Sequence, residues 1–270
     1  MNFISQILQK KSQTSRCALI PFITAGYPNI DTTIQLLYTL DNEGADLIEL
    51  GVPYADALAD GPLIQHSSNI ALNQGVYIDQ VLFILKKVYL SLSTPIIIFS
   101  YYNPILSRGI EKFLSEINKL GVKGLIIPDL PVEETDFLLY LCSELQIELI
   151  LFIAPTSSNH RIMKIISKAP GCLYLVNNTG VTGVRNTINR DVSVLLDYIK
   201  SKTNKFIMLG FGISNKQQVA EISKWNIDGI VIGSALISII SHYIKSDNKI
   251  LKKSLIKDVG FFCKDIKSSC

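Results

Sequence analysis

Eight short apolar runs, separated by longer stretches with helical periodicity, constrain this chain more than any other feature. They fall at residues 18–23, 47–51, 95–100, 124–127, 148–153, 172–176, 206–210 and 229–232. Runs of this length without polar alternation read as strands buried on both faces. Their alternation with helical stretches implies a parallel sheet joined by crossover helices. Phe113, Leu114, Ile117 and Leu120, or Phe137, Leu138, Leu141 and Leu145, supply the apolar stripe that lays such a helix on its strands. Eight units close a barrel, so the expected fold class is α/β, a (β/α)8 barrel, with an open doubly wound sheet as runner-up.

The length of 270 residues suits one barrel over residues 1–270 as a single domain. No Pro/Gly/Ser-rich linker or low-complexity tract divides it. Phe3, Ile4, Ile7 and Leu8 predict an additional N-terminal helix covering one barrel end. Leu251, Leu255, Val259 and Phe262 predict an additional C-terminal helix docking across the barrel.

A net charge of +3 with scattered lysines describes solvated helix faces, and no basic stripe with interleaved aromatics marks a nucleic-acid partner. Cys17, Cys142, Cys172, Cys263 and Cys270 are odd in number and never form CxxC, so neither a disulfide framework nor a zinc site is indicated and a reducing compartment is expected. The longest apolar stretch, 229–240, falls short of the roughly 20 residues that span a bilayer. The start of the chain has no long apolar h-region, and a first strand at Ala18 leaves little for a transit peptide. His66, His160 and His242 lie far apart on predicted helices, so no metal is expected.

In such a barrel the chemistry sits at the C-terminal strand ends. The second apolar run ends on Glu49, and Asp60 follows across a Gly/Pro loop. A Glu in a strand buried on both faces is costly unless it points into a polar cavity, and burial raises its pKa until it can donate as well as accept a proton. Asp60, in a loop read as polar, is expected to stay ionised, giving an acid and a base on one substrate. Tyr102 and Asn103 follow the third run, Asp129 follows the fourth, and Tyr174 lies within the sixth. GFGIS (210–214) and GSA (233–235) follow the seventh and eighth and lead into helices, the expected form of a phosphate cradle. No lysine ends a strand, so an imine mechanism lacks its amine.

PFITAGYP (21–28), DLIELGVPYADALADGPLIQ (46–65), YYNPI (101–105), GLIIPDLPVEE (124–134), GVTGVR (180–185), LGFGIS and IGSA occur in order over nearly the whole chain. In these segments the chain resembles the tryptophan synthase alpha chain family, a TIM-barrel family, in its cyanobacterial and plastid form. The resemblance implies a lyase that cleaves indole-3-glycerol phosphate to indole and D-glyceraldehyde 3-phosphate in tryptophan biosynthesis. It implies Glu49 as the acid/base at indole C3 and Asp60 as the group facing the indole N–H. Thr182 would orient Asp60, and Gly183, Gly210, Phe211, Gly212, Gly233 and Ser234 would hold the phosphate. Phe22, Tyr102, Asp129 and Tyr174 would line the substrate.

The same resemblance implies no cofactor in this chain, with pyridoxal phosphate in a partner beta chain of an α2β2 tetramer. An Ile-, Lys- and Asn-rich chain without a transit peptide would suit an AT-rich plastid genome, which favours the plastid stroma, with a bacterial cytoplasm as the alternative. Where the family usually reads Ser-Asp-Pro, this chain reads Ala55-Asp56-Ala57, which predicts a looser loop or weaker coupling to the partner. A barrel of weak activity, retained mainly as an activator of its beta chain, is the alternative. Other phosphate-binding barrels, such as phosphoribosylanthranilate isomerase, are opposed by the Glu49/Asp60 segment followed by GVTG.

Overall fold

The computed structural model describes residues 2–14, 17–176, 190–210, 212–244 and 250–270, Arg190 and Asp191 by backbone alone. Eight strands are present: β1 (Ala18–Thr24), β2 (Ile48–Gly51), β3 (Ile96–Phe99), β4 (Gly124–Ile126), β5 (Glu148–Ile153), β6 (Cys172–Val176), β7 (Phe206–Gly210) and β8 (Gly229–Ile232). They pair in parallel in chain order, and β8 returns to β1 from Ala18↔Gly229 to Pro21↔Ile232, closing the barrel. The open-sheet alternative is thereby excluded. The expected bounds are off by one or two residues where Pro95, which has no amide to donate, sits outside β3 and yet accepts from the Ile48 amide.

Around the barrel run α2 (Ile30–Asn42), α3 (Pro62–Asn73), α4 (Ile78–Val88), α5 (Tyr102–Arg108), α6 (Ile110–Lys119), α7 (Asp136–Glu144), α8 (Asn159–Lys168), α9 (Arg190–Lys202), α10 (Lys216–Ile222), α11 (Ser234–His242) and α12 (Lys252–Lys267), with α1 (Phe3–Ser12) before them. Local chemistry starts several: the side chains of Asn29, Ser158 and Asn215 accept the amides of Thr32, Arg161 and Gln218. α12 docks as expected, but along the side of the barrel, against α2, α10 and α11. Its buried face is Leu255, Val259, Cys263 and Ile266, while Leu251 is exposed and Phe262 half-buried. It therefore fills the place beside α2 that an eighth ring helix takes, and the short α11 is the extra helix.

α1 closes the base, the end where the strands begin. Ile4 and Leu8 are fully buried there, and Ser5 donates its amide (3.1 Å) and hydroxyl (2.7 Å) to Glu148 at the start of β5. A Cβ on Gly171 would stand 2.3 Å from Ser5 Oγ, so the glycine lets the helix seat. Beside it Asp46 accepts the Leu19 amide (2.8 Å) and pairs with Lys11 (2.6 Å) and Lys267, tying the end of α12 to the base of β1 and β2.

Candidate active site

Glu49 lies inside β2 rather than at its tip, in register with Phe22 of β1 and Ile97 of β3. Two residues on along the strand, Gly51 leaves its Cβ position to the Phe22 ring, whose nearest atom is 2.6 Å from it. Phe22, Phe99, Phe152 and Tyr174 form a continuous aromatic wall: Phe22 meets Phe99 edge-on at 5.7 Å, Phe99 meets Phe152 at 6.4 Å, and Phe152 stacks on Tyr174 at 4.6 Å. Glu49 and Asp60 face the cleft beside this wall, together with Ile64, Val231, Gly212, Gly233 and Ser234. The cleft is narrow, about 20 Å³, room for little more than a water molecule, so its walls must part to admit a larger ligand.

Both carboxyls are buried, Glu49 at 1% exposure and Asp60 at 4%. Burial, then the nearby Asp60 charge, pushes Glu49 up to about 8. The expectation that Asp60 sits in a polar loop is corrected: burial pushes it up to about 7, and a hydrogen bond from Tyr101 draws it only partly back. Glu49 Oε1 and Asp60 Oδ1 have no hydrogen-bond partner among the described residues. A pair of carboxyls poised near neutrality, each with an unpaired oxygen, can take and give protons on one ligand.

The loop that carries Asp60 is anchored from within. Gln65 Nε2 donates to the carbonyls of Ala57 (3.1 Å) and Asp60 (3.0 Å), the Asp60 amide donates to Ala57 (3.1 Å), and Ala57 is buried. Ala57 packs into the core at the start of this hydrogen-bonded segment. Leu58, by contrast, is 88% exposed.

Tyr102 and Asp129 lie outside the cleft. The Asp129 carboxylate accepts the Tyr102 amide (2.9 Å) and so holds the first turn of α5. The tyrosine that reaches the site is Tyr101, whose hydroxyl accepts the Ala59 amide (2.9 Å) and bonds to Asp60. Sequence reasoning chose the wrong member of the Tyr-Tyr doublet. The signal was in the strand period, since Phe99 and Tyr101 are two residues apart and face one side. Phe99 and Phe152 were likewise missed.

Gly212 turns the chain at φ +84°, and Gly233, packed against Phe22, and Ser234 begin α11, all three lining the cleft. A helix N-terminus behind glycines suits an anion. Gly210 does not line the cleft; its missing Cβ makes room for the Tyr174 hydroxyl, which would lie 2.1 Å from it. Thr182, Gly183 and Phe211 lie outside the described residues. Among the described residues no cluster of His, Cys, Asp and Glu could hold a metal ion.

The family model of the tryptophan synthase alpha chain matches residues 8–267. Tryptophan synthase alpha chains of Antithamnion sp. and Gracilaria tenuistipitata var. liui are each 58% identical over 269 residues, covering 100% of this chain and 99% and 97% of theirs. That of Synechocystis sp. is 44% identical, covering 100% of this chain and 99% of its own. Among solved structures, the Pyrococcus furiosus tryptophan synthase α2β2 complex contains a chain 32% identical with a TM-score of 0.84, covering 93% of this chain and 98% of that one. A protein of Aquifex aeolicus is 30% identical with a TM-score of 0.88, covering 100% and 99%. With the model spanning nearly all its residues and relatives this similar over their full length, the chain belongs to the tryptophan synthase alpha chain family.

Proposed function

We propose that this chain cleaves indole-3-glycerol phosphate to indole and D-glyceraldehyde 3-phosphate, with Glu49 and Asp60 as its proton-transferring groups. The observation that carries the reading is the buried carboxyl pair, raised to about 8 and about 7, on one aromatic-walled cleft. Between about pH 7 and pH 8 Glu49 holds its proton while Asp60 is ionised. Glu49 protonates indole C3 while Asp60 takes the N–H proton, which leaves a neutral indolenine able to accept an electron pair. Glu49, now a carboxylate, removes the proton of the hydroxyl next to the ring. The C–C bond breaks, the aldehyde forms, the pair moves to the ring nitrogen, and Asp60 returns its proton there. Both carboxyls end as they began, so no external acid is consumed.

Phe22, Phe99 and Tyr174 would flank the indole, and the amides at Gly233 and Ser234 would take the phosphate with the help of α11. Tyr101 would act as a positioning residue by holding Asp60. On this reading the whole chain works as one domain. Its partner would be a beta chain in an α2β2 assembly carrying pyridoxal phosphate, as the Pyrococcus furiosus α2β2 complex suggests by likeness. The higher identity to the Antithamnion and Gracilaria chains than to that of Synechocystis sp. supports the plastid stroma, with a bacterial cytoplasm as the alternative.

The test is indole release from indole-3-glycerol phosphate by the purified chain, alone and with a beta chain. Release that rises when the beta chain is added is the expected result. No release in either condition, with the phosphate ligand still bound, would reject the lyase and leave a barrel that serves its partner only.

A further inference from the structure

Two walls of the carboxyl cleft come from different elements that share a buried bond. Phe22 stands on β1 and Ile64 on the first turn of α3, and both line the cleft with Asp60, which lies two residues before α3 begins. Thr24, at the end of β1, meets Ser67, three residues after Ile64, with 2.6 Å between their hydroxyl oxygens. Thr24 is 1% exposed and Ser67 is fully buried. Ser67 Oγ also lies 2.7 Å from the Ile64 carbonyl, which can only accept. The protons are thereby ordered: Ser67 donates to Ile64, and Thr24 donates to Ser67.

The mechanism does not use these hydroxyls, and a hydroxyl in such a place is costly unless it is bonded. Among the described residues, theirs is the side-chain hydrogen bond that ties the first half of α3 to a barrel strand. Gln65, in the same half, bonds back to Ala57 and Asp60 in its own loop, and Gln74, at the far end of the helix, bonds to the Pro28 carbonyl ahead of α2.

We infer that Thr24 and Ser67 are positioning residues for Asp60: their bond sets the depth at which the first turn of α3 seats against β1, and so where Asp60 and Ile64 stand relative to Phe22 and Glu49. Gln65 passes the position of α3 on to Asp60, because its side chain donates to the Asp60 carbonyl (3.0 Å) while its amide donates to Gly61 (2.9 Å). Phe22 is held from the other side, its ring filling the Cβ position of Gly51, the residue in register with Thr24. A reacting group displaced by about 1 Å can lose roughly a hundredfold in rate. A bond that takes the slack out of α3 therefore matters to turnover without touching the ligand. That catalytic consequence rests on the lyase reading, whereas the placement of Asp60 does not.

Removing one hydroxyl strands its partner, so the test is the double change Thr24→Val with Ser67→Ala, which replaces both by apolar side chains of similar shape. Ser67→Ala alone should lower the urea midpoint of the full chain, and the double variant should recover it. The readout is the titration of the Asp60 carboxyl, by carbon NMR of isotope-labelled aspartate, with Asp60→Asn to assign the signal. Asp60 titrates among Glu49, Tyr101 and Tyr174. With α3 released, water reaches it, and its midpoint should fall toward the ordinary aspartate value in both variants. With a beta chain present, kcat for indole release should fall about tenfold or more, with KM little changed. An Asp60 midpoint that stays at its wild-type value in the recovered double variant would overturn the inference, and so would wild-type kcat in that variant. A wild-type chain that releases no indole while the midpoint still shifts would reject the lyase and uphold the positioning of Asp60.

Discussion

Glu49 occupies a place where a carboxylate is expensive, and its stability and its chemistry follow from the same burial. Its folded pKa of about 8 lies above its ordinary 4.5. The stability tied to the neutral form is therefore fully present below about pH 4.5 and lost as pH rises through about 8. Glu49→Gln, which cannot ionise, should stabilise the free chain by about 3 kcal/mol at neutral pH, seen as a higher urea midpoint that widens its lead toward alkaline pH. The same change should cut indole release by roughly 10²–10⁴-fold while phosphate-ligand binding persists. If the Glu49→Gln protein turned over at the wild-type rate, the assignment of the acid would be wrong. Tyr101→Phe removes the acceptor of the Ala59 amide and a hydrogen bond to Asp60. Its kcat should drop about tenfold, the cost of one such bond to a charged group, and its lower pH limb should move upward, because Asp60 loses a group that eases its ionisation.

At the scale of single elements, α11 and α1 make opposite contributions from opposite ends. Placing a carboxylate at the first residue of α11 by Ser234→Asp satisfies the helix dipole but repels a phosphate. KM should rise by about tenfold or more with kcat little changed, in steady-state kinetics. Ser5→Ala in α1 removes a donor to the buried Glu148 and should lower stability by about 2 kcal/mol in urea melts, with KM unaffected. The elements were legible because each run of Ile, Leu and Val is buried on both faces, and because α1 shows Ile4 and Leu8 one turn apart. What escaped was decided by contacts distant in sequence. The solvent status of Asp60 depends on Tyr101, and the face of α12 depends on α2, so Cys263 and Ile266 point inward where Leu251 and Phe262 were expected. The choice between Tyr101 and Tyr102 turns on strand phase, which the doublet hides.

Across the whole molecule, the two carboxyls titrate as a coupled pair rather than singly. The reaction needs the neutral acid and the ionised base together, so kcat/KM for indole release should form a narrow bell with limbs near pH 7 and pH 8. A flat profile across that range would separate the pair from catalysis. The division of labour between the barrel's two ends has a further consequence. With Ile4 and Leu8 stoppering the base and Ser5 fastened to Glu148, the described residues shut that end of the barrel. On the proposed reaction, a product formed beside Glu49 would leave toward the rim. A partner that collected it would then dock there, and not against α1.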